Sequence, residues 1–173
     1  FIGCDQLIYI NKSEDNKDKL TFFNSDGSTS GACGNGTRCV AKILSKEYGK
    51  NEINLQTSSG NLHSLILNEN TVETNIGAAT MEWNKIPLQK NLNTEDLRIT
   101  ISDLGGNKFI GGIAVNVGNP HIIFFVENNK KFNIEKIGPE IEKHEYFPER
   151  CNVTLATIID NNLIDVKVWE RGA

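Results

Sequence analysis

The chain has 173 residues, of which 38% are hydrophobic and 23% are charged, as in an ordinary globular protein of one domain or two small ones. Its net charge is −4 and the two signs are interspersed, so nucleic acid is not an expected partner. No apolar stretch approaches the roughly 20 residues of a membrane-spanning helix, and no secretory signal pattern occurs at the first residues, so no membrane partner is expected.

The first half of the chain alternates apolar and polar stretches. Cys39, Val40, Ile43 and Leu44 lie at helical spacing and predict a buried helix face, and Gly49 is a typical C-terminal stop. A helix is predicted at residues 36–48, and strands at residues 7–10, 20–23, 52–57, 61–67 and 71–76.

The second half is richer in strands. Strands are predicted at residues 97–101, 108–117, 121–126, 153–159 and 163–169, with an amphipathic helix at 133–145 whose middle Pro139 makes doubtful. Weak patterning after Gly77 places a boundary between residues 1–82 and 83–173. This order of elements predicts an α+β fold of two units.

The four cysteines are Cys4, Cys33, Cys39 and Cys151. Their irregular spacing favours free thiols in a reducing cytoplasm over disulfides. Cys39 is predicted to lie in the core, and Cys4 and Cys151 to be structural.

Cys33 has a distinct setting, because Gly34 and Gly36 follow it where the predicted helix begins. Free backbone N–H groups at a helix start attract anions and favour a thiolate. The residues alone leave two interpretations open: a reactive thiol beside a carboxylate site, or a structural cysteine before a helix.

Five segments together resemble the diaminopimelate epimerase family, and they occur in the family's order. They are Ile-Gly-Cys-Asp-Gln-Leu at 2–7, Asn-Ser-Asp-Gly-Ser at 24–28 followed by Cys-Gly-Asn-Gly-Thr-Arg-Cys at 33–39, Gly-Asn-Pro-His at 118–121, Phe-Pro-Glu-Arg-Cys-Asn-Val at 147–153, and Glu-Arg-Gly-Ala at 170–173. Because the chain starts at Phe1 and stops directly after a strand pattern, we expect both ends to be truncated relative to the family.

The resemblance implies two pseudo-symmetric units, each a curved, mostly antiparallel sheet around a central helix. It implies epimerisation of LL-2,6-diaminopimelate to the meso form, on the route to lysine and peptidoglycan precursors, without pyridoxal phosphate, another cofactor or a metal. One thiol removes the α-proton and a second returns a proton on the opposite face. By resemblance Cys33 is one of them, whereas the second thiol and the second central helix are expected beyond Ala173.

The resemblance also assigns site residues. Cys33, His121 and Glu170 are the expected catalytic residues, with His121 helping to set the protonation of the thiols. Gly34 and Asn35 are expected to bind the α-carboxylate, and Glu170 and Arg171 the distal amino-acid end, where opposite charges complement a zwitterion. Further substrate contacts are expected from Gln6, Asn24, Asn119 and Asn152.

The expected partner is a small amino-acid substrate, and a homodimer is the assembly to test. Two alternatives stay open. One is a cofactor-independent proline or hydroxyproline racemase on the same fold, and the other is a non-catalytic amino-acid-binding relative.

Overall fold

The computed structural model describes residues 3–4, 6–14, 17–25, 27–31 and 33–171. The chain separates into two compact units, residues 1–78 and 79–173. The sequence pattern predicts this division after residue 82. In the described part of the chain, no helix combines the length and the apolar character needed to span a membrane.

The first unit is one mixed sheet with a helix against it. Its elements are β1 (Gln6–Lys12), β2 (Asp18–Asn24), β3 (Thr29–Ser30), α1 (Gly34–Tyr48), β4 (Glu52–Thr57), β5 (Gly60–Asn68) and β6 (Thr71–Asn75). The strand order is β1-β2-β4-β5-β6, and the short β3 pairs with β2. Since β2 and β4 are parallel while the other pairs are antiparallel, α1 is the crossover that joins the parallel pair.

Helix α1 begins at a cysteine cap and ends at Gly49, which has φ 64° and donates its N–H to the Ser45 carbonyl. Its buried face consists of Thr37, Val40, Ala41, Leu44 and Ser45. The apolar members share one core cluster with Leu20 and Phe22 of β2.

The prediction that Cys39 lies in the core is wrong, because Cys39 is exposed and Ile43 is 59% exposed. Compared with the predicted face, the buried face of α1 includes the small residues Thr37, Ala41 and Ser45 instead of Cys39 and Ile43. Thr37 can be buried because its hydroxyl donates to the Cys33 carbonyl at 2.8 Å, which satisfies the polar group inside the unit.

The second unit has two sheets. Its elements are β7 (Ile99–Ser102), β8 (Lys108–Gly111), β9 (Ile113–Asn116), β10 (Pro120–Phe125), a short 3-10 helix (Asn129–Lys131), α2 (Ile134–Glu142), β11 (Asn152–Asp160) and β12 (Leu163–Trp169). The larger sheet has the order β12-β11-β10-β9, and β7 pairs with β8 alone. Strands β10 and β11 are parallel and α2 lies in the connection between them.

Two boundaries in this unit differ from prediction. The strand expected at 108–117 is broken at Gly112, which has φ 110° and where a Cβ would lie 2.8 Å from Ile122 Cδ1. Helix α2 ends at Glu142 and runs through Pro139. Otherwise the predicted elements correspond to observed ones, and the predicted α+β class is confirmed.

The core of this unit joins the larger sheet to α2, through buried residues such as Ile122, Val153 and Leu155 and the helix residues Ile137 and Ile141. The opposite face of β12 is apolar but open. Its side chains Ile164, Val166 and Val168 are 51%, 51% and 47% exposed.

Candidate active site

Cys33 is the N-terminal cap of α1. It is half-buried, has extended backbone (φ −145°, ψ 96°), and its Sγ accepts a hydrogen bond from the Gly36 N–H at 3.3 Å. Its carbonyl accepts the Thr37 N–H at 2.9 Å. A sulfur in this position lies among the N–H groups that a helix start leaves without intrahelical partners, so an anionic group can be bound beside it.

Gly36 is needed where the thiol, β1 and the helix meet. A Cβ at this position would lie 2.3 Å from Ile8 Cδ1 and 3.1 Å from Cys33 Sγ. Without a side chain, the first turn of α1 approaches both β1 and the sulfur. At Gly34, by contrast, a Cβ would meet only Arg38 Nη1 at 3.8 Å, so a side chain would fit at this position.

Asn35 is exposed on the first turn of α1, and its side-chain oxygen accepts a hydrogen bond from the Arg38 guanidinium. The predicted carboxylate site at residues 34–35 therefore consists of backbone donors with a cationic side chain one turn further along the helix. Both features favour an anion at this end of α1.

Gln6 and Asn24 form a second polar element of the first unit. They lie opposite each other where β1 begins and β2 ends, and Gln6 Nε2 donates to Asn24 Oδ1 at 3.0 Å. Because side chains two residues apart share a sheet face, Asn24 lies on the face of Phe22, which packs in the α1 core. Asn24 Nδ2 also donates to Ser28 Oγ at 3.0 Å, which fixes the amide orientation.

The second unit brings Asn119, His121, Asn152 and Arg171 close together. His121 Nε2 lies 2.8 Å from Asn119 Oδ1 and 3.3 Å from Asn152 Nδ2, so it donates to the first when protonated or accepts from the second when it is not. Asn152 Oδ1 accepts the Arg171 N–H at 2.8 Å, so its Nδ2 is directed at His121 and at the Pro120 carbonyl, 3.4 Å away. The parallel pairing of β10 with β11 sets His121 beside Asn152 and so brings these residues together.

The charge state of His121 follows from this environment. Burial lowers the pKa of His121 below its usual range, and the nearby Arg171 cation lowers it further. His121 is therefore neutral at pH 7, and can accept or donate one hydrogen bond at each ring nitrogen according to its tautomer.

The guanidinium of Arg171 is also held, because its Nη1 donates to the Glu149 carbonyl at 3.0 Å. Glu170, directly before it, is exposed. Ile2, Asp5, Asp26, Gly172 and Ala173 of the family-like segments lie outside the described residues.

Both units therefore have the same local arrangement, a hairpin whose open end is joined by a side-chain amide. In the first unit Gln6 and Asn24 join the ends of β1 and β2, and in the second Asn152 joins the start of β11 to Arg171 after β12. This pairing is not evident from sequence, since the partners are 18 and 19 residues apart.

The remaining cysteines differ from Cys33. All four are free, but Cys4 and Cys39 are exposed and Cys151 is fully buried. Burial raises the pKa of Cys151 to about 12, and the nearby Glu142 carboxylate acts in the same direction. Its thiol is therefore protonated and unreactive at neutral pH, as expected of a structural cysteine.

Sequence reasoning did not predict that the Glu142 carboxylate of α2 is buried. It is 3% exposed and accepts a hydrogen bond from Trp169 Nε1 at 2.7 Å. The available signal was a glutamate after Ile137 and Ile141, on the inward side of an amphipathic helix.

Comparisons with known proteins show the family of the chain. The family model for diaminopimelate epimerase matches residues 1–82 and 113–173. Diaminopimelate epimerases of Pelagibacter ubique and Acidiphilium cryptum are 62% and 39% identical over 100% and 99% of the chain. The chain spans 63% and 60% of the lengths of these two relatives.

Solved structures show the same fold at low identity. A hydroxyproline epimerase from Agrobacterium vitis, solved with trans-4-hydroxy-L-proline, superimposes with a TM-score of 0.62 at 12% identity, over 96% of this chain and 52% of that one. A PhzF-family phenazine biosynthesis protein from Bacillus anthracis gives 0.55 at 18% identity, over 97% and 58%. Because the family model matches most of the residues of this chain, the chain belongs to the diaminopimelate epimerase family.

Proposed function

We propose that the protein containing this chain interconverts LL- and meso-2,6-diaminopimelate by a two-base mechanism without pyridoxal phosphate. The observation that carries the proposal is the Cys33 thiol, which caps α1 among backbone donors in a chain of this family. A base beside a carboxylate-binding helix start is suited to removing the α-proton of an amino acid.

The proposed step conserves atoms and charge. The Cys33 thiolate takes the α-proton, and the electron pair of the broken C–H bond stays on the α-carbon and its carboxylate. A second thiol, which we expect beyond Ala173, gives its proton to the opposite face. The reverse reaction exchanges the two roles. The N–H groups of Gly34 and Asn35 stabilise the charge that develops on the carboxylate, because they are oriented before the reaction begins.

We assign recognition of the distal amino-acid end to Glu170 and Arg171. The held position of the Arg171 guanidinium supports this assignment, since a fixed guanidinium binds a carboxylate with little loss of freedom. Gln6, Asn24, Asn119 and Asn152 supply further hydrogen bonds. Neutral His121 and the carboxylate of Glu170 complete the proposed catalytic set, with His121 helping to set the protonation of the thiols.

The proposed biological setting is the one implied by the family. The product is a lysine precursor and, in many bacteria, a peptidoglycan precursor, so we expect a cytoplasmic enzyme. A homodimer is the assembly that we would test first.

The test is solvent exchange of the α-proton in the full-length protein. With LL-diaminopimelate in D₂O, we expect Cys33→Ser to abolish deuterium incorporation while its circular dichroism stays native. The matched control is Cys39→Ser, because Cys39 is an exposed thiol on the same helix. Retained exchange in Cys33→Ser would contradict the assigned role of Cys33.

The same assay separates the alternatives. Exchange with L-proline or 4-hydroxyproline but not with LL-diaminopimelate would favour a racemase on the same fold. Tight binding of an amino acid without exchange would favour a non-catalytic relative.

A further inference from the structure

The Glu142 carboxylate is the only buried acidic group among the described residues of the second unit. A buried charge is costly unless hydrogen bonds compensate it. Both of its oxygens have partners: Trp169 Nε1 donates to Oε2 at 2.7 Å, and Arg150 Nη1 lies 3.4 Å from Oε1. The role proposed above for the site does not use this group.

The indole of Trp169 rests in a seat formed by Gly138 and Glu142, one turn apart on α2. At Gly138 a Cβ would lie 2.2 Å from Trp169 Cγ and 2.5 Å from its Cβ, so only glycine admits the ring. Glu142 then accepts the indole N–H. The indole seat therefore fixes Trp169 by contact and by a charged hydrogen bond, which is the stronger kind.

Trp169 is the last residue of β12, and Arg171 follows two residues later. The indole seat thus holds the strand end from which Arg171 extends. Because the backbone N–H of Arg171 donates to Asn152 at 2.8 Å, a shift of the strand end would break this bond.

The other carboxylate oxygen of Glu142, Oε1, is also linked to Arg171, through Arg150 and the turn that contains it. Arg150 is in the left-handed region (φ 61°) and closes a turn by donating its N–H to the Phe147 carbonyl at 2.8 Å. The carbonyl of Glu149, in that turn, accepts the Arg171 guanidinium at 3.0 Å. With 55% of the Arg150 side chain exposed, we expect this ion pair to contribute less than the indole bond.

We propose that Glu142 is a positioning residue for Arg171: one buried carboxylate on α2 holds both the strand end before Arg171 and the turn that receives its guanidinium. Insofar as Arg171 binds substrate, the inference rests on the proposed function. Glu142 itself contacts no reacting atom; it keeps the guanidinium in one orientation.

The first test is kinetic, on the full-length protein with LL-diaminopimelate. Trp169→Phe removes the indole donor, and Glu142→Gln keeps the shape but removes the charge. Loss of a hydrogen bond to a charged group corresponds to roughly tenfold in binding, so we expect KM to rise about tenfold in Trp169→Phe and less in Glu142→Gln. We expect kcat to change little, since contacts to the distal end act on ground state and transition state alike.

Two comparisons distinguish positioning from general weakening of the fold. Glu140→Gln changes an exposed carboxylate on the same helix and should leave KM and kcat at wild-type values. In the double variant Trp169→Phe/Glu142→Gln, KM should rise by less than the product of the two single effects, because both changes disrupt the same indole hydrogen bond and only the weaker Arg150 ion pair is lost in addition. Additive effects, a fall in kcat at constant KM, or lowered stability with unchanged KM would each overturn the proposal.

A second readout does not need turnover. Phenylglyoxal labelling followed by peptide mass spectrometry should show faster modification of Arg171 in Trp169→Phe and Glu142→Gln than in wild type or Glu140→Gln. An unchanged labelling rate would overturn the positioning role. If wild type fails to exchange LL-diaminopimelate, the proposed function fails, whereas Arg171 labelling still decides the inference.

Discussion

Single residues in this chain acquire their chemistry from a few close neighbours. Cys33 and Cys39 are both thiols of α1, yet one caps the helix with its sulfur hydrogen-bonded to a backbone N–H and the other is exposed. Cys151, fully buried near the Glu142 carboxylate, is held protonated. The position of each sulfur relative to backbone dipoles, water and charge therefore determines which cysteine is suited to act as a base.

His121 gives a pH prediction at this scale. Its pKa in the folded chain lies below the ordinary value near 6.5, because it is buried and close to Arg171. Between the pKa of His121 in the folded chain and its ordinary value, the unfolded chain binds more protons than the folded chain. The free energy of unfolding of the second unit should therefore rise with pH, and should fall as the pH drops below about 6.5. Urea unfolding followed by tryptophan fluorescence between pH 5 and about 7 measures this.

Two histidine variants check the origin of that slope. His121→Gln should flatten the pH dependence in this window, because the titrating group is gone. His63→Gln changes an exposed histidine of β5 in the first unit and should leave the fluorescence-detected slope unchanged. An equal slope in wild type and His121→Gln would show that another group causes it.

At the scale of elements, the sequence predicted which segments form helices and strands better than it predicted their orientation. The apolar spacing of α1 placed Cys39 and Ile43 inside, whereas Thr37 and Ser45 occupy the buried face. Hydropathy cannot show that a hydroxyl will be satisfied by a carbonyl four residues earlier, as it is for Thr37.

The site residues show the same limit. Family-like segments pointed to Asn152 and Arg171, but not to the hydrogen bond between them, which depends on how β11 pairs with β12. Glu142 was missed because its partner Trp169 is 27 residues away along the chain. Long-range side-chain partners arise from packing, and no local pattern encodes them.

The C-terminal end of α1 supports a prediction about the β1–β2 hairpin. The Tyr48 hydroxyl donates to Asp18 Oδ1 at 3.0 Å and accepts from Lys12 Nζ at 3.0 Å, and Lys12 lies 2.6 Å from the same oxygen. Hydrogen bonds to Asp18 and Tyr48 raise the pKa of Lys12. The helix end is thereby joined to both strands of the hairpin.

We expect Tyr48→Phe to lower the stability of the first unit by about 1 kcal/mol, the usual net value of one hydrogen bond. Native-state hydrogen exchange of the β1 and β2 amides would measure it. The control is Tyr9→Phe, because Tyr9 of β1 is 56% exposed and its loss of a hydroxyl should have no effect. Equal protection in wild type and Tyr48→Phe would contradict the expected contribution.

At the scale of the whole molecule, the two units repeat one plan but differ in how far their hairpins are covered. Each has a hairpin joined at its open end by an amide, β1–β2 in the first and β11–β12 in the second. In the first unit Leu20 and Phe22 of the second hairpin strand are 1% exposed beneath α1, whereas Val166 and Val168 of β12 are about half exposed. This difference supports the expectation of a second central helix from beyond Ala173.

Within the described part of the chain the two core clusters have no residue in common, and this leads to a prediction about unfolding. Leu44→Ala in the first core and Leu155→Ala in the second each remove a buried side chain, at a cost of about 2–5 kcal/mol. In full-length protein we expect Leu155→Ala to accelerate hydrogen exchange of the protected amides of the second unit, and Leu44→Ala to accelerate that of the first unit, each with little change in the other unit. Equal acceleration in both units by either variant would mean that the units unfold together as one cooperative structure.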